Sequence, residues 1–226
     1  YNMKTLSRIY TALILLFLYA PIAVMVIFSF NSSGSVWVFG GFSLDWYKEL
    51  TSNGTMLTAL HHTLIIAILS AIISTVIGTA ASVGILSLRK KISQSAIMSV
   101  TNIPMMNADI VTGISLMLLF VFFGKIIGVN ESLGFLTVLI AHITFNLPYV
   151  ILSVMPKLKQ TDSNLSEAAL DLGATPTQAL FKAVLPEILP GIFTGFMLAI
   201  TLSLDDYIIT ATLSPLGYDT ISTAVY

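Results

Sequence analysis

The sequence predicts an all-α fold, a polytopic bundle of transmembrane helices forming a single domain over residues 1–226. Of the 226 residues, 56% are hydrophobic and only 9% are charged, and the mean hydropathy is +0.92. The apolar residues are also gathered into uncharged runs long enough to cross a bilayer. A water-soluble domain of this composition would leave large apolar surfaces uncovered. The formal net charge of −1 offers no basic face to phosphates, so no nucleic-acid partner is expected. Cysteine is absent, which excludes disulfides and thiolate metal sites.

The elements follow in order. About 20 apolar residues at 1.5 Å rise span a hydrocarbon core of roughly 30 Å. Ile9 to Phe30 is uncharged and forms the first span, with Pro21 tolerable in lipid because neighbouring helices can satisfy the freed carbonyl. Asn31 to Asn53 is polar and carries Trp37, Trp46 and Tyr47, the mixture of a loop lying at a membrane interface. The second span, Met56 to Leu88, repeats small residues at Ala67, Ala71, Thr75, Thr79 and Ala81-Ser82, a face suited to close helix packing. Span three runs from about Ala96 to Phe123, interrupted by Pro104 and Asp109; span four runs from Ser132 to Met155. Span five follows Pro186, from about Ile188 to Leu204, and ends on Asp205-Asp206. Pro215 and Gly217 follow, with no further apolar run of spanning length. Placing Lys4, Arg8, Arg89, Lys90, Lys91, Lys157, Lys159 and Lys182 on one side leaves Lys48 and Lys125 on the other. The positive-inside rule then makes the amino terminus and the loop at 156–187 cytoplasmic.

That loop has legible punctuation. Asn164 with Glu167 reads as a capping box opening a short helix, and Gly173 stands where a left-handed C-terminal residue is needed. Thr175 with Pro176 and Gln178 reads as the start of a second helix, which Pro186 is expected to end. Ala168, Ala169 and Leu172 on the first helix, and Ala179, Leu180, Ala183 and Val184 on the second, form small apolar faces that a partner could approach closely.

The order Glu167-Ala168-Ala169, Gly173, Leu185-Pro186 resembles the EAA loop of ABC importer permeases, with Ala183 where that family usually has a branched residue. The resemblance implies a coupling helix seated on a separate ATPase. Glu167 would face its polar or basic groups, Gly173 would permit the turn, and Pro186 would relaunch the chain into the membrane. No Gly-x-x-x-x-Gly-Lys-Ser/Thr loop occurs, so ATP and Mg are expected on the partner ATPase, with no cofactor in this chain and no enzymatic role for it.

Over nearly the whole length the sequence resembles the spermidine/putrescine permeases of the MetI-like, binding-protein-dependent class. The residues carrying this are Tyr19-Ala-Pro-Ile, Ser29-Phe-Asn-Ser-Ser, Met105-Met-Asn-Ala-Asp109, Gly113-Ile-Ser-Leu, His142-Ile-Thr-Phe-Asn-Leu-Pro148 and Thr201-Leu-Ser-Leu-Asp-Asp206. It implies a bacterial plasma-membrane location, a sixth span after the C-terminal end, a second permease subunit (PotB-like), an ATPase dimer (PotA-like) and a soluble substrate-binding protein (PotD-like).

An ionised carboxylate in a span is costly and normally marks a functional path or a paired cation. Asp109, Asp205 and Asp206 are therefore candidates for a polyamine path, with Tyr207, Asn107 and Asn146 to hold the stem of the cargo. Each acid has a structural alternative: Asp109 as the cap of a helix restarted after Pro104, Asp205 and Asp206 as the wet end of span five. His142 reads as a packed, hydrogen-bonded residue, and the three histidines lack metal-ligand spacing. An ABC permease for another small solute, or an ion-coupled secondary transporter, are the rival functions. Anionic cargo would favour bases in the path, and the spans contain acids instead.

Overall fold

The computed structural model describes residues 2–35, 37–88, 90–128, 133–162, 164–214 and 218–225. Arg89, Ser132, Pro215 and Gly217 lie outside them. Five helices are long and apolar enough to cross a membrane: Ser7–Phe28, Gly54–Ser87, Asp109–Ile127, Phe135–Gln160 and Pro176–Asp205. The chain divides into two compact units, Tyr1–Leu57 and Thr58–Tyr226.

The first unit holds α1 (Asn2–Phe28) and α2 (Asp45–Ser52). Apolar side chains of α1 such as Leu13, Phe17 and Met25 are exposed around the helix, a surface that lipid can cover and water cannot. Residues 31–35 and 37–42 are more ordered than an interfacial loop requires, because they are wound on one side chain. Asn31 is buried, and its amide donates to the carbonyls of Ser35 (3.1 Å) and Val38 (2.7 Å). Its Oδ1 accepts from the N–H groups of Ser33 (3.2 Å) and Gly40 (2.7 Å). Trp46 Nε1 donates to the Asn31 carbonyl at 2.9 Å, and Phe30 stacks between Phe42 and Tyr47 at 5.3 and 5.4 Å. Helix α2 lies where the sequence suggested only loop. Its start is marked by Ser43, whose hydroxyl accepts from the Asp45 N–H at 2.9 Å and donates to the Asp45 carboxylate at 2.6 Å. Asn31→Ala removes all four of the side-chain bonds and should destabilise the loop by roughly 2–4 kcal/mol. Hydrogen exchange at the Gly40 amide is expected to rise by at least about tenfold; unchanged protection would show that the aromatic stack alone holds the loop.

The second unit contains most of α3 (Gly54–Ser87) and then α4 (Lys91–Met106), α5 (Asp109–Ile127), α6 (Phe135–Gln160) and α7 (Asn164–Asp171). It continues through α8 (Pro176–Ala179), a π-turn at Leu180–Val184, α9 (Leu185–Asp205), α10 (Ile208–Leu213) and α11 (Ile221–Val225). The centre of its packing is α6. The small-residue face of α3 is buried as its spacing predicts, at Ala67, Ala71, Thr75, Thr79 and Ser82. Close approach is what requires glycine there: a Cβ built on Gly78 would stand 2.7 Å from Val150 Cγ1 of α6. On the other side of Val150, a Cβ on Gly195 of α9 would stand 3.3 Å from its Cα. Val150 is thus clasped between two helices that carry no side chain at the contact.

Two expectations need correction. Span three is not one interrupted helix, since α4 and α5 are separate, with Asn107 and Ala108 in extended conformation between them. The break comes after Pro104, which sits inside α4, because Asn and Asp side chains favour helix boundaries over interiors. Pro186 likewise does not end the loop's second helix, for Pro176–Asp205 runs without a break over 30 residues. The π-turn explains how. There the Leu185 N–H bonds the Leu180 carbonyl, five residues back, and the widened turn accommodates the following proline, which has no N–H to give.

Candidate functional site

Asp109 is the first residue of α5, and Asp205 is the last of α9. Short helix α10 packs against α5, where a Cβ on Gly113 would meet Thr212 Oγ1 at 2.7 Å. That packing draws the two helix ends around one cavity of about 580 Å³, lined by Asp109, Phe145, Thr201, Asp205, Asp206, Tyr207 and Ser222 among others. Phe145, on its wall, stands ten residues into α6, about 15 Å along the helix from its first residue.

The three acids are not equivalent. Asp206 lines the cavity with little of its surface, its side chain 6% exposed. It caps α10, accepting from the Ile209 N–H (3.3 Å), the Thr210 N–H (2.9 Å) and the Thr210 hydroxyl (3.0 Å). Its Oδ2 also stands 3.5 Å from Nε2 of His142, which is buried as expected of a packed residue. His142 Nδ1–H donates to the Val138 carbonyl at 2.9 Å, since a carbonyl can only accept. The Asp206 carboxylate is thus engaged inside the protein, by the start of α10 on one side and facing the His142 ring on the other. By contrast, the side chains of Asp109 and Asp205 are exposed and have no ion pair among the described residues.

The amide residues lie elsewhere. Asn107, in the break between α4 and α5, lines a separate cleft of about 210 Å³ with Pro104 and Val111. Asn146 is 0% exposed; its Nδ2 donates to Ser70 Oγ at 3.4 Å, and its Oδ1 has no partner among the described residues. The structure thus gathers Asp109, Asp205, Asp206 and Tyr207 and leaves Asn107 and Asn146 apart. It adds Phe145, Thr201 and Ser222, which the sequence did not mark as path residues.

The loop between the fourth and fifth spans forms the second site. Asn164 is not its cap: Asn164 is already helical, and its N–H is held by Asp162 Oδ1 at 2.9 Å, a carboxylate being the stronger acceptor. Gly173 has φ +87°, and the backbone bonds Gly173 N to Leu170 O (2.9 Å) and Ala174 N to Ala169 O (3.1 Å) close α7 in a Schellman motif. The Thr175–Gln178 capping box forms as expected, with bonds of 3.3 and 3.1 Å. Glu167 and Ala168 are exposed, Ala169 and Leu185 are half-buried, and Pro186 is exposed. Leu172 is 90% and Phe181 60% exposed, so the loop offers an apolar surface that this chain leaves uncovered.

Apolar spans around a charged cavity, joined outside the apolar zone by a capped helix pair, define a membrane transport subunit. The family described as "Binding-protein-dependent transport system inner membrane component" matches residues 74–225, and the chain belongs to that family as a permease of an ABC importer. The putrescine transport system permease protein PotI of Escherichia coli (strain K12) is 39% identical over 210 residues, 93% of this chain and 75% of that protein. The spermidine/putrescine transport system permease protein PotC of Haemophilus influenzae is 35% identical over 93% of this chain and 79% of its own length. A bacterial alginate ABC transporter, crystallised with an alginate pentasaccharide-bound periplasmic protein, shares the fold. Its TM-score is 0.75 at 17% identity, covering 100% of this chain and 82% of the transporter chain.

Proposed function

We propose that this permease carries polyamines, that its amino terminus is cytoplasmic, and that it works with a second permease subunit, an ATPase dimer binding ATP and Mg, and a soluble substrate-binding protein. The observation that carries the cargo reading is the pairing of two exposed carboxylates, Asp109 and Asp205, with the rings of Phe145 and Tyr207 around one cavity. A linear di- or triammonium chain matches such a lining, carboxylates answering its charged ends and aromatic faces its methylenes. The permeases PotI and PotC are named for putrescine and spermidine/putrescine transport, which supports the same class.

Coupling rests on continuity. The helical run from Pro176 to Asp205, 30 residues long, extends about 45 Å and joins the docking loop to the cavity in one continuous segment. Movement of α7 and α8 by an ATPase therefore displaces Asp205 directly, and the two exposed acids part or approach as access alternates. The test is ATP-dependent uptake of radiolabelled putrescine and spermidine into proteoliposomes holding the complete transporter. Uptake of both, competed by unlabelled polyamine, is expected; transport of an anionic solute with none of polyamine would overturn the cargo.

A further inference from the structure

A second cleft, of about 440 Å³, lies at the opposite end of the bundle and plays no part in the cargo reading. Its rim carries Lys91, the first residue of α4, Lys159 in the last turn of α6, and Ser95; its floor is Ile85, Met98 and Met155. Ile85 and Met155 belong to a small buried cluster with Ile151, against which Met98 packs. Gln94 also lines the cleft, but its Nε2 is occupied in donating to the carbonyls of Leu86 (3.2 Å) and Leu88 (2.8 Å), which ties the start of α4 to the end of α3.

The charges here are unanswered. Lys157 reaches Glu187 at 3.9 Å, whereas Lys91 and Lys159 have no ion pair among the described residues and no acid lines the cleft. Beside it α4 turns an apolar side chain outward, with Ile92 83% exposed. Two ammonium groups above an apolar floor, beside an outward-turned apolar side chain, match a molecule with an anionic head and a hydrocarbon tail. Free phosphate would use the rim alone and leave the floor unfilled.

We propose that this cleft is a binding site for one anionic phospholipid, its phosphate between Lys91 and Lys159 and an acyl chain along Met98 and Met155. The site needs only that the chain resides in a membrane, so it stands or falls independently of the polyamine reading. It would bind at the junction of α3, α4 and α6, bracing the helix that leads to the break before Asp109.

The test uses the full transporter carried through graded delipidation and native mass spectrometry, after equilibration in mixed phosphatidylcholine and phosphatidylglycerol. Wild type is expected to retain phosphatidylglycerol preferentially, and Lys91→Gln/Lys159→Gln to retain it about 30-fold more weakly, at about 1 kcal/mol for each charge removed near the membrane surface. Met98→Asp, which leaves both charges in place, should weaken retention too, because the floor would no longer accept a chain. Lys48→Gln is the control for general charge and should change nothing. Equal retention by wild type and the double lysine variant would overturn the proposal, as would displacement of the lipid by inorganic phosphate alone.

Discussion

Replacing Gly173 by valine is expected to reduce co-purification of the ATPase with the permease by at least about tenfold and to abolish ATP-driven uptake. Gly173 sits at φ +87°, where an L-residue is strained by about 1–2 kcal/mol and a β-branched one by more. Relief of that strain requires residue 173 to leave the left-handed region, which breaks the two Schellman bonds from Gly173 and Ala174. Helix α7 then loses its fixed angle to α8, and Glu167, Ala168 and Leu172 no longer share one surface with Phe181. About 1.4 kcal/mol governs a tenfold change in affinity, so the strain alone is sufficient for a large effect. The spans should be untouched, with helical content and detergent stability as in wild type. Gly173→Ala should fall between the two. Undiminished ATPase recovery with valine would remove this loop from the motor interface.

The second large effect separates two neighbouring acids. Asp205→Asn is expected to lower polyamine uptake by roughly ten- to a hundredfold with assembly intact, since it deletes an exposed carboxylate whose hydrogen bond to an ammonium contributes about 1.5–3 kcal/mol. Asp206→Asn should act on folding instead. It weakens the cap on Ile209 and Thr210, because the amide nitrogen that replaces one carboxylate oxygen cannot accept, a loss of about 1–3 kcal/mol. Thermal unfolding in detergent and uptake in proteoliposomes distinguish the two acids. Wild-type uptake by Asp205→Asn, or a fully stable Asp206→Asn that fails only in transport, would reverse their roles.

Local punctuation made one site readable from sequence and long-range contact hid the other. Gly173, and Thr175 with Pro176 and Gln178, act within a few residues of themselves, so their conformations follow from identity and spacing. Even there, Asp162 and Asn164 were competing acceptors two residues apart, and only the fold shows which prevails. The five spans were equally plain, because long uncharged runs have few alternatives in lipid. The division of labour between Asp205 and Asp206 was not legible, since it depends on Thr210 meeting His142, 68 residues away in sequence. Helix α10 is also too short for an apolar period to reveal it. Asn146 looked like a path residue because a polar side chain in a span commonly is one; its place is in the packing of α6 on α3.

The π-turn at Leu180–Val184 has a meaning for how this chain tolerates changes in length. Such a turn holds one residue more than the α-helix around it, and it does so by widening, without rotating the helix beyond it. Loss of a single residue between Leu180 and Val184 would let the segment close into ordinary α-helix while Asp205 kept its orientation to Thr175. The same loss between Gly191 and Ala199 has no slack to draw on. It would turn Asp205 by about 100° away from Asp109 and lift Gly195 off Val150. A one-residue deletion in this long helix is therefore better tolerated in the π-turn, just where the docking loop hands the chain to the membrane, than beyond Gly191.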